Sequence, residues 1–140
     1  MIVYLDTSVV LRRILNQPDA FADWATWDKA YSSELMGLEG RRTIDRLRLA
    51  GALDDQGVAQ SHQQLGIVEN AIAVLMIDRT VVARASLPMP TAIKSLDAIH
   101  LASAQLCREH RAESLVFVTH DVALGRAATA LGFSVLGATI

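Results

Sequence analysis

Short apolar runs alternate with helical stretches along this chain, and the alternation limits the fold more than any other feature. Residues 2–5 and 115–118 are β-prone runs, and apolar residues at helical spacing follow each run, over 9–15 and 122–131. Short, almost continuous apolar strands that alternate with helices are typical of a parallel sheet covered on both faces. The sequence therefore predicts an α/β fold, with three α/β/α layers around a central parallel β-sheet.

The same pattern predicts further elements. Helices are expected over 34–50, 58–77 and 96–108, and strands over 29–32, 80–83 and 133–136. Gly132 stands where the end of a helix uses a left-handed residue. A short helical segment after Pro18 carries Trp24 and Trp27, which are expected to be core or interface anchors.

Composition favours one globular domain over residues 1–140. The chain is 51% hydrophobic and 20% charged, which excludes a disordered protein and a coiled coil. Its net charge of −2 argues against a nucleic-acid binder that relies on bulk positive charge. The chain has one cysteine and no apolar run long enough for a membrane span, so we expect a cytoplasmic protein without a membrane partner.

Acidic and hydroxyl residues follow two of the predicted strands. The two groups are Asp6-Thr7-Ser8 and Thr119-His120-Asp121. In a sheet of this kind, ligands bind beyond the carboxyl ends of the strands, at the point where the strand order reverses. Both groups are therefore expected to point into one crevice. Helix N-capping by Asp6 and Asp121 is an alternative that needs no ligand.

Two more acids, Asp97 and Glu39, lie on predicted helices. Asp97 comes at the start of its helix, where a negative charge also complements the helix dipole. Glu39 lies in the middle of SELMGLEGRR, away from the solvent face of that helix. A carboxylate on the apolar side needs a partner, which is either a basic side chain such as Arg42 or a cation.

The four acids at positions 6, 39, 97 and 121 can converge in this architecture. Clustered carboxylates repel one another unless a divalent ion neutralises them. Ligand sets made only of oxygen favour Mg²⁺ or Mn²⁺, whereas zinc uses His or Cys. The four histidines show no zinc-like spacing with Cys107, and His120 is expected to be a loop side chain. We therefore expect Mg²⁺ as the cofactor, with Mn²⁺ as a substitute.

Four motifs occur in order along the chain: YLDTSVV, SSELMGLEGRR, SLDAIHLASA and THDVALGRAATALGF. With these motifs the chain resembles the PIN-domain ribonucleases, and within that group it is similar to the VapC toxins of bacterial toxin–antitoxin modules. The resemblance covers essentially the whole chain and implies a PIN-like form of the α/β/α fold. Gly37 and Gly40 depart from the commonest pattern, in which larger residues flank the internal Glu, and are expected to loosen the helix locally.

The resemblance implies roles for single residues. The four family acids match Asp6, Glu39, Asp97 and Asp121, of which Asp6, Asp97 and Asp121 would hold the metal. The hydroxyls that support the acids or the metal-bound water match Thr7, Ser8 and Thr119. The implied activity is that of an endoribonuclease that cleaves RNA with a metal-activated water, as the toxin of a type II toxin–antitoxin system.

The resemblance also implies partners. These are an RNA substrate, a VapB-like antitoxin whose C-terminal segment lies across the crevice, and a second copy in a homodimer. Among the arginines, those nearest the predicted crevice are expected to contact RNA phosphates: Arg12, Arg13 and Arg42.

Two other functions remain open from the residues. A Mg²⁺-dependent phosphohydrolase of the haloacid dehalogenase type would use Asp6 as a covalent nucleophile, but that family needs a second Asp two residues on, where this chain has Ser8. A non-catalytic RNA-binding or interaction module on the same scaffold normally lacks one or more of the acids, and this chain retains all four.

Overall fold

The computed structural model of the chain describes residues 1–111 and 114–140, and in these ranges it has five strands and six α-helices. In chain order they are β1 (Ile2–Leu5), α1 (Thr7–Ile14), β2 (Lys29–Ser33), α2 (Leu35–Leu49), α3 (Asp55–Ala71), β3 (Ala73–Leu75), α4 (Arg79–Ala85), α5 (Ser95–Arg111), β4 (Leu115–Val118), α6 (Val122–Ala130) and β5 (Ser134–Leu136). Among the described helices, none is both long and apolar enough to cross a membrane.

The strands form one parallel sheet with β1 at its centre. The strand order is β3-β2-β1-β4-β5, and every neighbouring pair is parallel. From β1 the chain moves to one side of the sheet through β2 and β3, and later returns to the other side through β4 and β5. The strand order therefore reverses at β1 and β4, whose carboxyl ends lie side by side in the register Leu5↔Val118.

Alternate residues of β1 supply two separate apolar cores. Val3 and Leu5 pack on one face of the sheet with buried residues of α1, α2 and α3, whereas Tyr4 packs on the other face with residues of α5 and α6. Successive side chains of a strand point to opposite faces, so the central strand is buried on both sides. The expected three-layer α/β/α architecture with a parallel sheet is confirmed.

The segment between α2 and α5 differs from the sequence prediction. The helix expected over 58–77 ends at Ala71, and residues 73–75 form β3 beside β2. The strand expected over 80–83 is wrong, because these residues lie in α4. The continuous apolar run 71–77 fits a helix or a buried strand equally well, and pairing with β2 decides for the strand. The Asp78 side chain accepts a hydrogen bond from Val81 N at 2.9 Å, which starts α4 in spite of its β-branched residues.

The segment of Trp24 and Trp27 also differs from the prediction. Residues 21–28 form turns rather than a short helix, and Ala25 has φ +63°, which a right-handed helix does not allow. The two indole rings meet edge to face at 5.1 Å and pack against the core on the α1–α3 side of the sheet. Their expected role as anchors of the core is therefore confirmed, whereas the short helix predicted for this segment is wrong.

The glycines on both sides of Glu39 allow two helices to pack closely. α2 runs without interruption from Leu35 to Leu49, so the expected local loosening is wrong. A Cβ at Gly40 would lie 2.9 Å from a Leu65 methyl of α3, and a Cβ at Gly37 would meet the Arg41 and Glu69 side chains. The absence of side chains at these two positions brings α3 against α2.

Candidate active site

Asp6 lies at the carboxyl end of β1, where the strand order reverses. Its backbone N–H donates to Val118 O of β4 at 2.9 Å. Its carboxylate is 5% exposed, and Oδ2 accepts hydrogen bonds from Ser8 Oγ at 2.6 Å and Thr119 Oγ1 at 2.9 Å. Within the described residues, the Asp6 side chain makes no capping hydrogen bond to α1. The capping alternative is therefore wrong for Asp6, whose carboxylate is held by two hydroxyls instead.

The loop after β4 is tied to the loop after β1 by the same hydroxyls. Ser8 Oγ accepts from His120 N at 3.0 Å, and Thr119 Oγ1 accepts from Asp121 N at 3.0 Å. Asp121 is exposed, and its Oδ1 accepts from Leu124 N at 3.1 Å, so it caps α6 as the alternative reading expects. Since only Oδ1 takes part in this capping bond, the cap leaves the second carboxylate oxygen for other partners.

His120 lies between Thr119 and Asp121 and turns towards the C-terminal segment. Its Nδ1 donates to Gly137 O at 2.9 Å, because a carbonyl oxygen can only accept. Gly137 has φ +92°, and a Cβ there would lie 2.6 Å from Thr119 O. The C-terminal segment therefore supports the loop at close range, with His120 as one of its attachments.

Glu39 reaches the crevice from α2. Its Oε1 accepts hydrogen bonds from Thr7 Oγ1 at 2.6 Å and from His100 Nε2 at 2.7 Å. Burial raises the pKa of Glu39, but the hydrogen bonds from His100 and Thr7 outweigh burial and leave this pKa below its usual value. Arg42, the basic partner considered from the sequence, lies instead 3.7 Å from Asp45 on the surface.

Asp97 occupies the first turn of α5 and is partly buried. Burial raises its pKa, and the charges of Asp121, Asp6 and Glu39 raise it further against an opposing effect of His100. The charges of three acids from distant parts of the chain therefore act on Asp97. Two of these acids also meet at one atom, because His100 Nε2 lies 2.7 Å from Glu39 Oε1 and 3.6 Å from Asp6 Oδ1.

His100 is a site residue that the sequence reasoning missed. It is 1% exposed, and besides Glu39 it contacts Tyr4 Oη through Nδ1 at 2.8 Å. Burial lowers the pKa of His100, but the hydrogen bond to Glu39 and the charges of Asp6, Glu39 and Asp97 leave it raised. One signal was available: His100 follows Asp97 by three residues on a helix, so both side chains lie on the same helix face.

The donor chemistry of the site fits a hard divalent cation. The four carboxylates offer only oxygen ligands, and their mutual repulsion, visible in the raised pKa of Asp97, is the energy that a cation would relieve. In the side-chain positions of the described residues, no group of three or more His, Cys, Asp or Glu is close enough together to hold a metal ion. A metal ion at this place would therefore need these side chains to move closer together than they are here.

The arginines expected to contact RNA lie on the helices that begin or pass beside the site. Arg12 Nη1 donates to Asp19 O at 3.4 Å, and the Arg13 guanidinium lies 5.8 Å from the centre of the Trp24 ring. The side chain of Arg42 is 74% exposed. The contacts given for these arginines are therefore with Asp19, Trp24 and Asp45, and among the described residues no hydrogen bond or ion pair joins them to the four acids.

Known proteins that resemble this chain agree with its fold and motifs. The PIN domain family model matches residues 3–129. Ribonuclease VapC47 of Mycobacterium tuberculosis (strain CDC 1551 / Oshkosh) is 29% identical over 133 residues, which cover 94% of this chain and 93% of that protein. FitAcB from Neisseria gonorrhoeae superposes with a TM-score of 0.69 at 21% identity, covering 95% of each chain.

Two further solved structures have the same fold. A toxin–antitoxin complex from Klebsiella pneumoniae superposes with a TM-score of 0.65 at 17% identity, covering 99% of this chain and 96% of that chain. VapBC2 from Rickettsia felis, bound to a DNA fragment from its promoter, superposes with a TM-score of 0.62 at 15% identity, covering 96% and 97%. Because the family model extends from β1 into α6, the chain belongs to the PIN domain family.

Proposed function

We propose that this protein is a divalent-cation-dependent endoribonuclease that acts as the toxin of a type II toxin–antitoxin module. The observation that carries the proposal is the acid group at the carboxyl edge of the sheet. Asp6 and Glu39 meet at His100 Nε2, at 3.6 and 2.7 Å, and the charges of Asp6, Glu39 and Asp121 add to burial in raising the pKa of Asp97. Membership of the PIN domain family and the likeness to a protein named Ribonuclease VapC47 support the choice of RNA as substrate.

In this proposal Asp6, Asp97 and Asp121 hold Mg²⁺, with Mn²⁺ as a substitute, and Glu39 adds a fourth carboxylate. When bound, such a cation supplies Lewis-acid chemistry, which activates water and stabilises charge on a leaving oxygen. Ser8 and Thr119 hold Asp6 by one oxygen, Oδ2. The other oxygen of Asp6, Oδ1, lies 3.6 Å from His100 Nε2.

Thr7 has a different part from the other two hydroxyls. It donates to Glu39 Oε1 at 2.6 Å, so it orients the acid that comes from α2 rather than the acids that follow the strands. The three hydroxyls together hold two carboxylates, those of Asp6 and Glu39. These hydrogen bonds are in favour of the proposal that Thr7, Ser8 and Thr119 orient the acids of the site.

The proposed partners are RNA, a small VapB-like antitoxin and a second copy of the chain. The printed names of several structures with this fold describe toxin–antitoxin complexes, which supports an antitoxin partner. We propose that the C-terminal segment of the antitoxin lies across the crevice with a basic side chain towards the acids. Arg12, Arg13 and exposed Arg42 are proposed phosphate contacts, and the cytoplasm is the proposed place of action.

The test is cleavage of a labelled single-stranded RNA by the purified protein in Mg²⁺, in Mn²⁺ and in EDTA, with a phosphate monoester as a second substrate. We expect RNA cleavage with either cation and none in EDTA, and we expect the monoester to stay intact. Release of phosphate from the monoester would instead support a phosphohydrolase. If neither substrate reacts, the result would support a non-catalytic binding module.

Variants of the acids localise the activity. Asp6→Asn and Asp97→Asn are expected to lower the cleavage rate by roughly 10²–10³-fold or more, as removal of one preorganised electrostatic group does in other hydrolases. Asp55→Asn, which changes an exposed acid in the first turn of α3, is the matched control and should cleave like the wild type. Unchanged cleavage by both site variants would remove the acid cluster from the mechanism.

A further inference from the structure

His100 is a fully buried histidine to which the proposed function assigns no task. It lies on α5, on the sheet face that carries Tyr4, while Glu39 belongs to α2 on the opposite face. The bond from His100 to Glu39 therefore joins the two helical layers across the carboxyl edge of the sheet. A buried polar contact between layers is costly to keep unless every member is satisfied, and here each nitrogen of the ring has a partner.

The direction of the hydrogen bond is fixed by the chemistry of its acceptor. The ionised Glu39 carboxylate can only accept, so His100 Nε2 carries the hydrogen of the 2.7 Å contact. Thr7 Oγ1 donates to the same oxygen, Oε1, at 2.6 Å. Two donors therefore converge on Oε1 and leave Oε2 outside these bonds. His100 Nε2 also lies 3.1 Å from Thr7 Oγ1 and 3.6 Å from Asp6 Oδ1, so Glu39 is its nearest partner.

The imidazole ring is itself held from behind. Tyr4 Oη lies 2.8 Å from Nδ1, and the Tyr4 ring meets the imidazole edge to face at 5.9 Å. The Tyr4 ring in turn stacks on the ring of Phe117 in β4, with 5.3 Å between the ring centres. Because Tyr4 is part of β1, the central strand sets the position of the ring, and the ring sets the position of Glu39.

We propose that His100 is a positioning residue that holds the Glu39 carboxylate in the orientation required for cation-dependent RNA cleavage. This inference rests on the proposed function and adds a residue to it. The partners of metal-binding and catalytic carboxylates commonly govern affinity and rate in this indirect way. A histidine that only filled space in the core would not need a donor at Nε2. The hydrogen at Nε2 therefore distinguishes a positioning role from a packing role.

Two substitutions separate the atoms. His100→Gln places an amide nitrogen close to the position of Nε2 and can still donate to Glu39, whereas His100→Asn places its amide near Nδ1 and cannot reach Glu39. We expect His100→Asn to lower the RNA cleavage rate, and the affinity for Mn²⁺ measured by calorimetry, by about 10- to 100-fold, as loss of such partners does elsewhere. His100→Gln should restore most of both quantities.

His110→Asn is the control on the same helix, because His110 is exposed and lies in the last turn of α5, whereas Asp97 lies in the first turn. It should cleave RNA and bind Mn²⁺ like the wild type. Thermal unfolding of all variants shows which are folded. If folded His100→Asn and His100→Gln cleave RNA at equal rates, the inference about His100 is wrong. The proposed function is still supported in that case as long as the wild type cleaves RNA.

A spectroscopic measurement decides the geometry without any activity. In protein labelled with ¹⁵N-histidine, the Nε2–H of His100 should give a proton signal protected from exchange, which His100→Gln removes and thereby assigns. We expect Glu39→Ala to abolish this signal. If the wild type fails to cleave RNA, the proposed function is wrong. If the signal is unaffected by Glu39→Ala, the hydrogen bond from His100 to Glu39 does not form, and the inference about His100 is wrong.

Discussion

The strand ends at the acidic edge of the sheet and the apolar layers beneath them are both buried, yet they are stabilised in different ways. Val3, Leu5 and Phe117 are fully buried among apolar neighbours on the two faces of the sheet. Asp6 and Thr119 are buried to a similar degree one residue beyond the same strands, but their partners are hydroxyls and backbone groups. The contrast shows that apolar packing holds the interior of the sheet, whereas hydrogen bonds to hydroxyls and backbone groups hold the polar residues at its carboxyl edge.

The largest effect should come from the apolar layers. Phe117→Ala removes a buried ring that packs against Tyr4 at 5.3 Å and Phe133 at 5.8 Å. Loss of a buried aromatic side chain leaves a cavity, and we expect the free energy of unfolding to fall by about 3–5 kcal/mol. Urea denaturation measures the change. A loss below about 1 kcal/mol would mean that the structure collapses around the site and that the layer is not closely packed.

The boundary between the two regions passes between two adjacent residues of α2. Glu39 faces the crevice, whereas Gly40 faces Leu65 of α3. Gly40→Val would place a Cβ 2.9 Å from a buried Leu65 methyl, and overpacking of this kind should lower the free energy of unfolding by about 1–3 kcal/mol.

A matched substitution on α3 tests that explanation. Gly66→Val introduces the same side chain into α3 at a place where, among the described residues, a Cβ meets nothing within 4 Å apart from its chain neighbours and the backbone of its own helix. Since glycine is a poor helix former, this variant should be as stable as the wild type or slightly more stable in the same denaturation experiment. Equal losses at both positions would show that contact with Leu65 is not the cause.

The same contrast explains what could be predicted from sequence. The layers follow from apolar periodicity within each segment, so β1, β4, α2 and the parallel sheet were predictable. The run 71–77 was not, because its apolar residues suit a helix and a strand equally and only pairing with β2 decides. The residues of α4 were misread because β-branched residues hid the effect of the cap at Asp78.

The site divides in a similar way. Asp6 and Asp121 were predictable because topology places the residues that follow strands at one edge. The partners of Glu39 were not, because Thr7 and His100 lie 32 and 61 residues away and their bonds depend on side-chain geometry across layers. The cap made by Asp121 and the missing cap of Asp6 look identical in sequence and differ only in which hydroxyls reach the carboxylate.

The smallest effect on stability should come from the crevice, and its sign should be opposite. The pKa of Asp97 is raised by burial and by three neighbouring carboxylates, so at neutral pH its charge opposes folding. Asp97→Asn replaces the charged group with a neutral one of the same shape. In EDTA we expect the variant to be more stable than the wild type, by less than about 1 kcal/mol because Asp97 is only partly buried and solvent screens its charge.

Added Mn²⁺ should reverse this order. A cation that binds only the folded state stabilises it by mass action, about 2.7 kcal/mol at 100 times the dissociation constant. The wild type should therefore gain stability in Mn²⁺, and Asp97→Asn should gain much less, because it lacks one of the proposed ligands. Thermal unfolding with and without the cation measures both changes. If the wild type is more stable than Asp97→Asn already in EDTA, repulsion among the acids does not lower the free energy of unfolding. The acidic edge and the apolar layers would then not differ in the sign of their effect on stability.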